Sequence, residues 1–222
     1  MNNHLSLSSL AAALALGLSS AGFAAGHGGP NVPPDAALKK LLAGNARYAS
    51  GEVQHPRQGR ARRAEIAKGQ KPFAIVVGCA DSRTSPEIVF DQGLGDVFVT
   101  RLAGSIVDDA ALGSLEYGVD HLGASVIVVL GHERCGAVDA AMQGGQLPGK
   151  IGAFVKPILP AVDAVKKSGH PTLDAAIEEN ARRTAAALTT RSTILNDAVK
   201  AGKLKIVPAY YDLDSGRVRL VK

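Results

Sequence analysis

The chain has 222 residues, 46% hydrophobic and 20% charged, which is enough to bury a core without staples. Composition excludes disordered, collagen-like and coiled-coil chains, and two cysteines exclude both a disulfide-dense scaffold and a four-cysteine zinc site. A net charge of +5 would suit a nucleic acid or a membrane surface, but aromatics are only 4% and Trp is absent, which argues against a base-stacking platform.

Residues 5–18, LSLSSLAAALALGL, form an apolar run too short to span a bilayer comfortably. Small residues follow, and Gly22-Phe23-Ala24 has the spacing a signal peptidase reads. The expectation is an export signal over 1–24, cleaved near Ala24, then a flexible mature N-terminus over 25–34. The usual cationic start is missing, with only His4 and the amino terminus, so a hydrophobic anchor is the alternative. Export would place the mature protein in the periplasm or outside the cell.

Asp35 reads as the N-cap of a helix over AALKKLLAGNARYA. A second helix is predicted from Arg57 to Lys68, stopped by Gly69. Its Arg57, Arg60, Arg62, Arg63 and Lys68 carry much of the excess charge. With no interleaved aromatics they read as a solvated face. PFAIVVGCA (72–80) and ASVIVVLGH (124–132) are near-continuous apolar runs, the pattern of strands buried on both faces of a parallel sheet. Residues 96–101 give a further strand. Helices are predicted over 108–122, 137–143, 151–167 and 172–201. LKIVPAYYDL and RVRLV, joined by Asp214-Ser215-Gly216, read as a terminal hairpin. The fold class is α/β: a mostly parallel central β-sheet flanked by helices, with an antiparallel C-terminal edge strand or hairpin and an N-terminal helical arm.

The two strongest strands each end in a polar cluster, Cys79-Ala80-Asp81-Ser82-Arg83 and His132-Glu133-Arg134-Cys135-Gly136. Carboxyl ends of strands are where open α/β sheets place their sites. His132 and Cys135, three apart at a strand-to-helix turn, can reach one metal, and Cys79 offers a second sulfur from the neighbouring strand. Two thiolates and an imidazole leave zinc one open position, the arrangement of a catalytic site. Asp81 could take that position or hydrogen-bond a water there, and Arg83 could keep it ionised and oriented. A Cys79–Cys135 disulfide is the competing reading in an exported protein. His55, His121 and His170 stand alone. The segment 144–151, GGQLPGKI, nearly matches a phosphate-binding loop but lacks its Ser/Thr and follows a helix.

At these two motifs the chain resembles the β-class carbonic anhydrases, over roughly residues 35–222, a single domain of that family. The resemblance implies one zinc per chain held by Cys79, His132 and Cys135, with Asp81 and Arg83 as a catalytic dyad and Asp81 as fourth ligand in a closed form. It implies substrate contacts from Gln70, Phe98, Tyr117 and Gly136, some of them reaching across a dimer interface. It implies reversible hydration of carbon dioxide to bicarbonate by a zinc-bound hydroxide. Homodimers or homotetramers are expected, with residues 35–68 embracing the partner, and neither nucleic acid nor a stable membrane span is. Leu102 stands where the family often has Asn, in Arg101-Leu102-Ala103-Gly104. The absence of Trp favours the open, water-bound form over the closed one. A CS2 or COS hydrolase on the same scaffold, or a non-enzymatic zinc or redox protein, are the alternatives.

Overall fold

The computed structural model describes residues 32–169 and 171–222; the predicted export signal, residues 25–31 of the tail and His170 lie outside the described residues. Five strands form one sheet in the order β2-β1-β3-β4-β5, comprising β1 (Ala74–Gly78), β2 (Val97–Arg101), β3 (Val126–His132), β4 (Lys205–Tyr211) and β5 (Val218–Leu220). The β1–β2, β1–β3 and β3–β4 pairs are parallel, and β4–β5 is antiparallel, as the sequence predicts.

The apolar runs lack alternation because both faces of the sheet are covered. Val76, Val128, Leu130 and Tyr211 face helix α1 (Pro34–Ser50) and the short α3 (Pro86–Val89), where Leu41 and Phe90 are fully buried. Ile75, Val77, Ile127 and Val129 face α4 (Asp109–Asp120), α7 (Leu173–Arg191) and α8 (Thr193–Lys200). The remaining helices are α2 (Arg60–Ile66), α5 (Gly136–Gln143) and α6 (Gly152–Lys167). Each large side chain removed from water contributes about 1.5–3 kcal/mol, so the two-sided cover is what makes these strands stable as strands.

The chain leaves β1 for β2 on one side and returns to β3 on the other. The strand order therefore reverses between β1 and β3, and the carboxyl ends of these two strands flank the crevice where such sheets bind ligands. Val77 pairs with Val129, so Cys79 and His132 emerge from neighbouring strands at one edge.

Three expectations change. Asp35 is not the N-cap: Pro33 holds that position without a side-chain cap, Pro34 presets the first turn, and Asp35 lies inside it, paired with Lys205. The basic helix shrinks to Arg60–Ile66, because Arg57 has φ +52 and turns away to meet buried Asp96, which Arg62 also faces at 3.8 Å. The helix predicted over 172–201 is broken at Ser192, whose extended backbone and Oγ cap α8 by accepting from Leu195 N at 3.1 Å. The terminal hairpin forms as predicted, its turn over residues 212–217 including Asp214-Ser215-Gly216 and closed by Asp212 N donating to Arg217 O at 2.9 Å. The glycine-rich 144–151 segment joins α5 to α6 and follows no strand.

α1 approaches the end of α3 closely at Gly44, where a methyl group would sit 1.8 Å from the carbonyl oxygen of Phe90. The nearest atom is a backbone carbonyl, which cannot swing aside as the tip of a side chain could. Gly44→Ala is expected to cost about 3 kcal/mol or more and to lower the melting temperature by roughly 6–12 °C, measured by far-UV circular dichroism. An unchanged melt would mean that α1 does not pack against the α3 turn.

Candidate metal centre

The Cys79 Sγ, the Cys135 Sγ and a His132 ring nitrogen lie within 4.8 Å of one another and form the only such His/Cys/Asp/Glu group among the described residues. All three side chains are buried. Both cysteines are free thiols.

The chain around each ligand is held by groups remote in sequence. Cys79 follows the last residue of β1, and Arg101, at the end of β2, donates from Nε to the Cys79 carbonyl at 2.7 Å and from Nη2 to the Asp81 carbonyl at 2.5 Å. Gly104 N donates to Cys79 Sγ at 3.2 Å. Gly104 has φ +73, which suits glycine, and its carbonyl is held by buried Asn180 at 2.8 Å. His132 donates from Nδ1 to the Glu133 carbonyl at 2.9 Å. A carbonyl can only accept, so this bond sets the tautomer and leaves the Nε2 lone pair pointing at the sulfurs. Cys135 sits at the N-cap position of α5.

This geometry fits a zinc ion. His132 Nε2 is buried with no hydrogen-bond partner, the sole such side-chain atom among the described residues, and an unsatisfied buried acceptor is costly. The hydrogen bond from the Cys135 thiol, and after it that from the Gly104 amide, hold the Cys79 thiol well below the ordinary range, whereas donating to Cys79 and burial push Cys135 well above it. One proton is thus shared between two sulfurs aimed at one point. That is the donor chemistry a borderline-soft, tetrahedral cation takes up, releasing the proton.

Asp81 stands beside this centre. Its Oδ2 is 3.9 Å from His132 Nε2, and both carboxylate oxygens accept from Arg83, Nε at 2.9 Å and Nη2 at 2.7 Å. The Arg83 amide adds a third bond at 3.0 Å. The Arg83 guanidinium is the main cause that holds the Asp81 carboxyl down at about 2. Asp81 is therefore an ionised acceptor across the physiological range.

Gly136 opens α5 next to Cys135, with open space where a side chain would project. Gln70, Phe98 and Tyr117 are not brought to the centre of their own chain. Gln70 is exposed before β1; Phe98 pairs with Ile75; and Gly118, next to Tyr117, packs on both Ile75 and Phe98. Ile75 precedes Cys79 by four residues, about 13 Å at the rise of a strand. Leu102 packs beside Cys79 in the apolar cluster of Ile106, Val138 and Ile158. The supporting roles of Arg101, Gly104 and Asn180 went unread in the sequence. Arg101 and Gly104 stand at the end of β2, in Arg101-Leu102-Ala103-Gly104, but Asn180 lies mid-helix with no local signal.

The fold and site define a class, the β-class carbonic anhydrases, and the comparisons agree. The family model for carbonic anhydrase matches residues 74–218. The chain belongs to this family. It is 45% identical over 195 residues to carbonic anhydrase 2 of Mycobacterium tuberculosis, covering 86% of this chain and 94% of the relative. It is equally similar, at 45% over 195 residues and with 86% and 95% covered, to the carbonic anhydrase of Mycolicibacterium smegmatis. Among solved structures, the Coccomyxa β-carbonic anhydrase bound to acetazolamide matches with a TM-score of 0.66 and 26% identity, over 83% of this chain and 81% of that one.

The depressed Asp81 carboxyl predicts a pH signature. Its folded value of about 2 lies below the ordinary 3.8, so it contributes stability above pH 4 that is lost as pH falls from about 4 through 2. In metal-free protein, Asp81→Asn should be less stable than the parent at pH 6 by urea titration, and the difference should vanish near pH 2. An equal gap at both would mean that the Arg83 bonds do not act on the charge.

Proposed function

We propose that this protein is a zinc-dependent carbonic anhydrase that interconverts carbon dioxide and water with bicarbonate and a proton. The single observation that carries the reading is an ionised Asp81, clamped by Arg83, 3.9 Å from the orphaned nitrogen of a buried Cys-His-Cys set. A purely structural metal site needs no such pair. Zinc, held by Cys79, His132 and Cys135, supplies a Lewis acid that makes a water acidic.

The chain's own residues do the rest. Asp81 accepts a hydrogen bond from the attacking water and turns its lone pair toward carbon dioxide. Arg83 occupies both carboxylate oxygens, which keeps Asp81 off the metal and supports the open form of the site. Ile106, Ala137 and Val138 pack around the sulfurs and give an apolar surround suited to a nonpolar substrate. Addition of the water oxygen to the carbon yields bicarbonate, and the displaced proton passes to buffer.

The same reading extends to assembly and location. The outer edge of β2 has no partner strand among the described residues, its five residues are half-buried, and Ile88, Leu94 and Tyr117 are exposed at 60%, 42% and 45%. This supports a homo-oligomer in which Gln70, Phe98 and Tyr117 serve a partner's pocket. The apolar run over 5–18 supports export, and no helix among the described residues is long and apolar enough to cross a membrane. The intact mass of protein recovered from the periplasm or medium should begin after or near Ala24; a retained Met1 would overturn the export reading.

Stopped-flow carbon dioxide hydration, with zinc quantified on the same sample, tests the activity. The parent should hold about one zinc per chain and hydrate carbon dioxide rapidly. Cys135→Ser should lose the metal. Asp81→Asn should keep it and lose about 100-fold or more in kcat, within the range for a group acting on a proton in the reaction. Full activity in Asp81→Asn would remove Asp81 from the mechanism.

A further inference from the structure

His132 and Cys135 are separated by Glu133 and Arg134, and the second of these is in an unfavourable conformation. Arg134 has φ +51, a left-handed backbone that a non-glycine residue adopts only when its surroundings impose it. The imposing group is the C-terminal hairpin. Glu133 N donates to the Tyr211 carbonyl at 2.9 Å, extending the β3–β4 ladder one residue past His132. Glu133 Oε2 accepts from Leu213 N at 2.9 Å, and Oε1 faces Arg134 Nη1 at 3.3 Å. Arg134 in turn makes two bonds to the Asp214 carboxylate, at 3.1 and 2.6 Å. The hairpin is itself fixed to α1 by buried Asn45, which donates to the Gly216 carbonyl at 2.9 Å and accepts from Val218 N at 2.7 Å.

These ties differ in weight. The Arg134 and Asp214 side chains are 51% and 73% exposed, and an ion pair in water is worth little. The Glu133 side chain is only 17% exposed, and its bond to the Leu213 amide is charge-assisted. The backbone carbonyl of the same residue fixes the His132 ring through Nδ1. One residue therefore grips the hairpin with its side chain and aims the imidazole with its peptide.

We propose that Glu133 is a positioning residue for the metal centre: its carboxylate fastens the His132–Cys135 loop to the C-terminal hairpin, so that the Glu133 carbonyl holds His132 at the orientation zinc requires. The inference rests on the zinc reading above. Outer contacts of this kind typically change metal affinity by about 10–100-fold when removed.

The test is zinc release from the full-length, zinc-loaded protein to a chromophoric chelator, with far-UV circular dichroism and melting temperature on each variant. Glu133→Ala should release zinc about 10–100-fold faster. Glu133→Gln, which keeps an oxygen acceptor for the Leu213 amide, should stay near the parent rate. Glu133→Asp, one methylene shorter, should be intermediate, and carries the test if the alanine variant does not fold. Ser192→Ala, which uncaps α8 away from this loop, should lower the melting temperature but leave zinc release unchanged. Parent-like release from folded Glu133→Ala and Glu133→Asp overturns the proposal, and so does equal acceleration by Ser192→Ala, which would make the effect one of global stability. A parent that binds no zinc overturns the metal reading itself, and is recognised before any variant is compared.

Discussion

Three soft, polar ligand atoms have to be kept within 4.8 Å of one another at the rim of an almost wholly apolar sheet. Out of water, each unpaired nitrogen or sulfur raises the energy of the fold, and the three attract no natural packing partner. The structure meets this by arranging backbone and side-chain dipoles around them. Gly104 N–H points at one sulfur, the Glu133 carbonyl fixes the imidazole, and Arg101 draws in the carbonyls of Cys79 and Asp81. The parallel β1–β3 register and the reversal of strand order make the rest possible, because they place two ligand-bearing loops side by side. A shift of either strand by one residue would turn a ligand to the opposite face.

The electrostatics follow from that placement. Asp81 and Arg83 form a closed two-oxygen, two-nitrogen pair, partly shielded beside a buried imidazole. The arginine keeps the carboxylate charged and also keeps it occupied. The same geometry keeps the ionised carboxylate apart from the thiols, 3.9 Å from the imidazole nitrogen.

Much of this was legible in the chain. Two apolar runs ending in Cys79 and His132 specify buried parallel strands, and the hydrophobic effect makes that assignment robust to detail. The ligand set was readable because Cys79, His132, Cys135, Asp81 and Arg83 are local to two strand ends. Boundaries set by single hydrogen bonds were not: Ser192 breaks a helix whose periodicity runs through it, and Pro33 displaces Asp35 from the cap. The basic stretch near Arg57 also hid its main commitment, since the Asp96 carboxylate that turns Arg57 inward lies 39 residues away.

The sequence by itself determined the order of elements, the sheet's parallel character, the two ligand motifs and the family they resemble. Each depends on residues close together in the chain, where periodicity and spacing act directly. Only the tertiary structure decided which distant groups support the centre: Asn180 beneath Gly104, Arg101 across from Cys79, and the hairpin behind Glu133. It also placed Gln70, Phe98 and Tyr117 away from the sulfurs of their own chain. The physical reason is the same in each case. A hydrogen bond or a packing contact is set by three-dimensional proximity, and the chain's local pattern carries no record of which remote atom will arrive to make it.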